Sequence, residues 1–453
     1  MFTPSRLSLA LIALLGVSGS ALAAGNTLTG WAMLPAATFS DGPTSGQFAF
    51  TNNNSPANNP PYVDLQPVQG FSAVLAGAAA GTYTVMTDNG FGSKGNSGDT
   101  LLRLYGVKPD WASHTVSAAD IQTGAALAGF SAASRVPLND ANHVLPFAIQ
   151  ADYTHYYDNA ANPMVDAALK SGRLLTGADF DIESVRRDKN GNYWFGEEFG
   201  PFLVKADANG TVQSVFRTPN VRGFDANPYV QSPSNPIPTG ANNLPGSGGF
   251  EGMALNASGD TLYTLLERPL TSDPDQKRLL IQAFDLASES FTGESFAYKL
   301  EDAGTNIGDM TAIDDHRFLV IERNGATDTS GGTPFKKIYM VDIANVDANG
   351  FAKKTEVVDL MNIADPDDLN GDGSTTFTFP YVTIEDVLVM DANTLLVIND
   401  NNFPGGGGRA LTSDNTEFLR ISLAQPVPEP ETYALMLAGL GLVGAMARRR
   451  AAR

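Results

Sequence analysis

The chain has 453 residues, 43% hydrophobic and 17% charged, enough for one large core or two modest ones and unlike a disordered or collagen-like composition. Its 45 Gly and 27 Pro favour many short strands and tight turns over long charged surface helices, so an all-α fold is excluded. A formal charge of −20 argues against direct nucleic-acid binding. The absence of cysteine removes disulfides, thiolate nucleophiles and cysteine-ligated metals, leaving oxygen ligands and four histidines.

In chain order, residues 1–23 carry Arg6, an apolar run from Leu7 to Val17 and Ala21-Leu22-Ala23, the pattern of a secretory signal peptide passed to the Sec translocase. One folded domain is expected over residues 24–425. Within it an acid-strand-turn-strand-acid unit recurs at Gly70 to Asp88, Asp181 to Glu198, Gly249 to Arg268, Ile307 to Arg323 and Thr383 to Asp400. Each copy alternates apolar residues at period two about an Asn/Asp/Gly turn, which predicts a β-hairpin. Third strands are expected at 101–107, 279–286, 337–343 and 417–423, and fourth strands at 211–217, 291–300 and 353–360. Repeated four-strand units predict an all-β fold, a β-propeller. Five blades are visible, and a sixth is expected to be closed by the segment after Asn26 pairing with the last strand. Residues 111–177 break the repeat and are expected to form a partly helical insertion over one mouth.

The opening residue of a hairpin's first strand and the closing residue of its second lie side by side. That rule pairs Glu183 with Glu197, Glu251 with Glu267, Asp309 with Glu322 and Glu385 with Asp400, with Asp88 equivalent in the first copy. If these hairpins are innermost in their blades, the acids converge on one rim. Repulsion there, on the order of 1 to 4 kcal/mol per close pair, calls for cations. Oxygen ligands and a secreted location favour Ca²⁺ over Mg²⁺. Asp368, Asn370, Asp372 and Gly373 form a separate candidate calcium loop, although Phe379 replaces the glutamate that an EF-hand needs at its twelfth position.

No Gly-x-Ser-x-Gly elbow, P-loop or dinucleotide fingerprint is placed between a strand and a helix, and His114, His143, His155 and His316 are scattered. Metal-activated water attacking an electrophile that tolerates an acidic, cation-bridged site is the chemistry left. At the other end, residues 426–453 contain Pro428-Glu429-Pro430, an apolar run from Tyr433 to Ala447 and Arg448-Arg449-Arg450. This resembles the PEP-CTERM sorting tag, which implies processing by an exosortase and an extracellular or cell-surface location in a Gram-negative bacterium.

The segments 88–94 (DNGFGSK), 177–184 (GADFDIES), 194–201 (WFGEEFGP), 249–252 (GFEG), 383–386 (TIED) and 399–404 (NDNNFP) resemble the phytase-like family, "esterase-like activity of phytase". Two departures are Ile182, where the family pattern suggests proline, and the glycines before Arg409. The resemblance implies a secreted propeller hydrolase of phosphate or related esters. The expected site has Glu183, Glu197, Glu251 and Glu385 as catalytic groups, the rim acids as calcium ligands, and Lys94, Arg323 and Arg409 as contacts to an anionic small-molecule ester. A monomer is expected. The alternatives are a calcium-dependent lactonase or esterase propeller using Asn399 or Asn401, and a non-catalytic, calcium-stiffened surface or biofilm-matrix propeller.

Overall fold

The computed structural model describes residues 25–49, 60–406, 408–409 and 413–427. The expected signal peptide and the sorting tail beyond residue 427 lie outside the described residues. Each recurring hairpin forms the inner two strands of a four-stranded antiparallel blade. Blade I runs Phe71–Ala76, Tyr83–Thr87, Arg103–Asp110 and Thr115–Ala118, and blade II runs Ile182–Arg187, Tyr193–Glu197, Phe202–Ala206 and Val212–Arg217. Blade III comprises Gly252–Leu255, Thr261–Leu265, Arg278–Asp285 and Ser290–Lys299; blade IV comprises Asn306–Ala312, Arg317–Arg323, Lys336–Val346 and Ala352–Asp359. Blade V combines Thr383–Asp391, Thr394–Asp400 and Thr416–Ser422 with the N-terminal strand Thr27–Leu34.

The inner strands pack side by side from I to V and V returns to I, so the ring closes with five blades. The expected pairing of the segment after Asn26 with the last strand is present, with Trp31 opposite Leu419 and Met33 opposite Glu417. It completes blade V instead of founding a sixth. The reason is a matter of strand supply: the C-terminal hairpin plus Thr416–Ser422 makes only three strands, and the N-terminal strand provides the missing fourth. Both ends of the described chain thus share one sheet, which covers an otherwise open edge.

Inner strands are buried on both faces, as in Ile182–Arg187, because a blade packs on either side; outer strands such as Ser290–Lys299 are largely exposed or half-buried. Aromatic and aliphatic side chains fill the gaps between blades. Phe71, Tyr105, Leu396 and Phe418 join blades I and V, and Trp194, Met253, Leu262 and Phe284 join II and III. The turns recur as chemistry: Asp188 accepts the N–H groups of Asn190 and Asn192, and Asp347 accepts those of Asn349 and Phe351, with Gly191 and Gly350 taking the positive φ that the turn requires.

The 111–177 stretch is only partly an insertion. Thr115–Ala118 and Arg135–Pro137 both pair with Arg103–Asp110 of blade I. The remainder holds short 3-10 turns and one helix, Ala167–Gly172, whose Asp166 caps the Ala168 N–H at 2.7 Å.

Closure brings inner strands IV and V into contact at Gly308, where a Cβ would stand 1.9 Å from the Ile384 carbonyl oxygen. Gly308→Ala is expected to destabilise the protein by about 2 kcal/mol in urea unfolding. Gly129→Ala, with nothing within 4 Å of its added methyl, should leave the midpoint unchanged.

Candidate metal centre

Antiparallel pairing places the start of each blade's first strand beside the end of its second, and ring closure gathers those ends around one mouth. A cavity of about 320 Å3 there is lined by Asp88, Asp181, Glu183, Glu198, Glu251, Glu267, Glu385 and Asp400, with Arg268 and Arg323. Asp181, Glu183 and Glu198 each offer one oxygen, all within 4.8 Å of one another, and Glu198, Glu251 and Glu267 do the same. Glu198 belongs to both groups.

The supporting polar shell is specific. Asn89 Nδ2 donates to Asp181 Oδ1 at 2.6 Å, Asn306 Nδ2 to Glu267 Oε1 at 2.6 Å, and Ser72 Oγ to Glu385 Oε2 at 3.0 Å. Arg323 Nη2 reaches Glu251, Glu385 and Glu267 at 2.9, 3.1 and 3.3 Å. Burial opposes its charge, but these three carboxylates hold the guanidinium above its ordinary pKa. Asp181 and Glu183 stand away from it, and Glu198 Oε1 is buried with no hydrogen-bond partner among the described residues.

Burial, then mutual repulsion, pushes Asp88, Glu183, Glu198 and Glu251 well above the ordinary carboxyl range. The same causes raise Glu385 to about 8, and burial raises Asp400 to about 6. The residues fit a hard divalent cation: the donors are all oxygen, two triads share Glu198, and one buried oxygen lacks a partner.

Of the residues expected at the rim, the structure gathers Asp88, Glu183, Glu251, Glu267, Glu385, Asp400 and Arg323. Others lie elsewhere. Glu197 is fully buried, and its carboxylate accepts from the N–H groups of Phe199, Gly200 and Phe202. A bulge sets Gly196 opposite Ser184 but Glu197 opposite Ile182, and the next residue, Glu198, faces the mouth. Glu322 is one residue out in the same way. It accepts from the Glu301 N–H and Lys354 Nζ between blades III and IV, while Arg323 takes the channel side. Asp309, three residues into its strand, accepts from Arg186 Nη2 at 2.9 Å and the Val387 N–H at 3.0 Å, tying blades II, IV and V together.

Arg409 is held by Glu417 and the Thr378 carbonyl, beside the rings of Phe377 and Tyr381. Lys94 lines an adjoining cavity rather than the mouth. In the 368–373 loop, Asp368 accepts from the Gly373 N–H and Asp372 from Asn370 Nδ2 and the Ser374 N–H, so the loop's own donors occupy these oxygens. Asp181, Glu198, Asn89 and Asn306 were missed. The first two had a signal: Asp181 shares its parity with Glu183, and Glu198 is the second acid of an adjacent pair.

A family model described as "Phytase-like: Esterase-like activity of phytase" matches residues 66–403, and the PEP-CTERM protein-sorting motif matches residues 426–450, marking an exported protein. An uncharacterized secreted protein of Arthroderma benhamiae is 27% identical over 112 residues, 22% of this chain and 21% of that protein. Among solved structures, regucalcin, a calcium-binding protein from Agrobacterium tumefaciens, is 12% identical with a TM-score of 0.35, covering 86% of this chain and 98% of that one. An α-L-arabinofuranosidase from Podospora anserina is 10% identical with a TM-score of 0.37, covering 88% and 99%.

The raised carboxyls set the sign of a pH response. A group whose folded pKa exceeds its unfolded value stabilises the fold at low pH, and this stability is lost as pH rises through the folded value. Chelator-treated protein is therefore expected to melt at progressively lower temperature between about pH 5 and pH 9, as Asp400 near 6 and Glu385 near 8 ionise within this window. Added Ca²⁺ should flatten the slope; a chelated melting temperature that holds or climbs over this range would contradict the electrostatic account.

Proposed function

From the premise that the chain belongs to the phytase-like family, esterase-like activity of phytase, we propose that it is an exported, calcium-dependent hydrolase of phosphate esters or closely related esters. The observation that carries this reading is the pair of carboxylate triads sharing Glu198, one of whose buried oxygens has no partner among the described residues. Asp181, Glu183, Glu198, Glu251 and Glu267 would hold the ion. Calcium bound there supplies Lewis acidity, easing deprotonation of water and offsetting charge on the ester's oxygens.

The chain's own residues divide the remaining work. Arg323 keeps Glu251, Glu267 and Glu385 in one arrangement and contributes the mouth's buried positive charge. Glu385, whose two oxygens accept from Ser72 Oγ and Arg323 Nη2, would sit as a fixed carboxylate beside the ester and orient it. Glu183, beside Asp181, would orient the attacking water. An uncompensated acidic mouth would repel an anionic ester, so cation and substrate are expected to bind cooperatively.

The lactonase variant of this reading would draw on Asn399 or Asn401. Asn399 Oδ1 instead accepts the Glu417 N–H, and Asn401 Nδ2 donates to Gln69 Oε1 and the Asp414 carbonyl. A non-catalytic rim remains the competing class, and Glu198→Gln separates the two. The variant should fold, melt at or above the wild-type temperature in chelator, and lose most of the calcium-induced stabilisation. Hydrolysis of p-nitrophenyl phosphate, its bis-ester and phytate should fall by about a hundredfold or more on the substrate the wild type turns over best. A wild-type protein that calcium stabilises but that hydrolyses none of these esters would assign the rim a structural role.

A further inference from the structure

Beside the mouth lies a second cavity of about 300 Å3, walled by Phe147, Tyr153, Tyr157 and Pro236, with Lys94, Gln150 and Asp179 as polar groups; the Asp179 carboxylate is taken up by the N–H groups of Gln150 and Thr176 and by the Thr176 hydroxyl. Two chain segments are common to both chambers. Gly92 lines the mouth and Lys94 the cavity; Asp181 lines the mouth and Asp179 the cavity. Two residues span at most about 7 Å, so both walls join the chambers at close range. The segments are also locked together, since a Cβ at Gly177 would stand 1.9 Å from the Asn89 carbonyl oxygen and Asn89 holds Asp181.

The aromatic wall of the cavity is held firmly in place. Tyr157 adopts φ 59°, a left-handed conformation that an aromatic residue rarely takes. Several contacts hold it there: its N–H donates to Gln150 Oε1 at 2.8 Å, its hydroxyl to the Lys94 carbonyl at 2.8 Å, and its ring meets Phe48 edge-on at 5.1 Å. Lys94 Nζ stands 5.1 Å from the Phe199 ring centroid and donates to the Ser234 carbonyl at 3.2 Å. That is its one hydrogen-bond acceptor among the described residues; the nearby Asp179 and Glu197 carboxylates favour its charged form without bonding to it, and its other N–H groups are open to an anion.

We propose that this cavity is a subsite for a planar six-membered ring bearing an anionic substituent, with the ring between the aromatic walls and the anion on Lys94. It deepens the hydrolase reading and rests on it in one respect only: the ring would be the non-reacting part of the ester whose scissile bond lies at the mouth. A volume near 300 Å3 is at the lower end for small-molecule sites and suits a single substituted ring.

Binding, measured apart from turnover, tests the proposal on the intact secreted protein. Benzoate, titrated by calorimetry in the presence of calcium, is expected to bind at least tenfold more tightly than acetate. Lys94→Met and Ala148→Phe, the latter filling the cavity from an exposed wall position, should each weaken benzoate at least tenfold with melting temperatures near wild type. Benzoate binding no tighter than acetate, or binding equally strong in both folded variants, would overturn it. If benzoate binds as expected while no ester is hydrolysed, the subsite stands and the hydrolase reading fails; if esters are hydrolysed and benzoate does not bind, the subsite fails alone.

Discussion

Repulsion among carboxylates buried at one end of a closed ring is the constraint on which the rest of this molecule depends. Neighbouring carboxylates at about 4 Å oppose one another by roughly 1 kcal/mol in water and about 4 kcal/mol at the dielectric of a protein surface. Eight acids line the mouth against two arginines, and one of those, Arg268, is half exposed. Burial forbids relief by solvent. What is left is protonation or a bound cation, and the two carboxylate triads that share Glu198 are groups that could hold one.

Such a cluster needs a frame that does not spread. Sharing blade V between the two ends of the described chain supplies it, because the ring then has no free seam between first and last blade. A second tie lies deeper in the channel, where Asp309 joins Arg186 of blade II to the backbone of blade V. Breaking that buried pair would leave a charge without a partner, a large penalty of the kind that holds elements in register. Fold and site thus rest on the same geometry: the strand ends that close the ring are those that carry the acids.

The hairpins were legible because alternation at period two and Asp/Asn-Gly turns are local signals, and the five copies map onto the inner strands of five blades. The blade count was less legible. Strands such as Thr27–Leu34 find their sheet through a partner almost four hundred residues away, which no local pattern encodes. Among the acids, one residue of register separates Glu197 from Glu198, and a single bulge decides which faces the channel. Glu322 beside Arg323 repeats the lesson, with the bulge between Ile307 and Met310 in the facing strand, since adjacent strand residues point to opposite faces. The cavity beside the mouth had no sequence signal, because its walls come from segments distant in the chain and from a tyrosine in an unusual backbone conformation.

The central claim is that a cation sits among the mouth carboxylates, and anomalous diffraction from calcium-soaked crystals addresses it most directly. The account predicts an anomalous peak within ligand distance, about 2.3 to 2.6 Å, of oxygens from Glu198 and at least two of Asp181, Glu183, Glu251 and Glu267. A mouth without such a peak, with the same carboxyls hydrogen-bonded to one another as protonated acids, would contradict it.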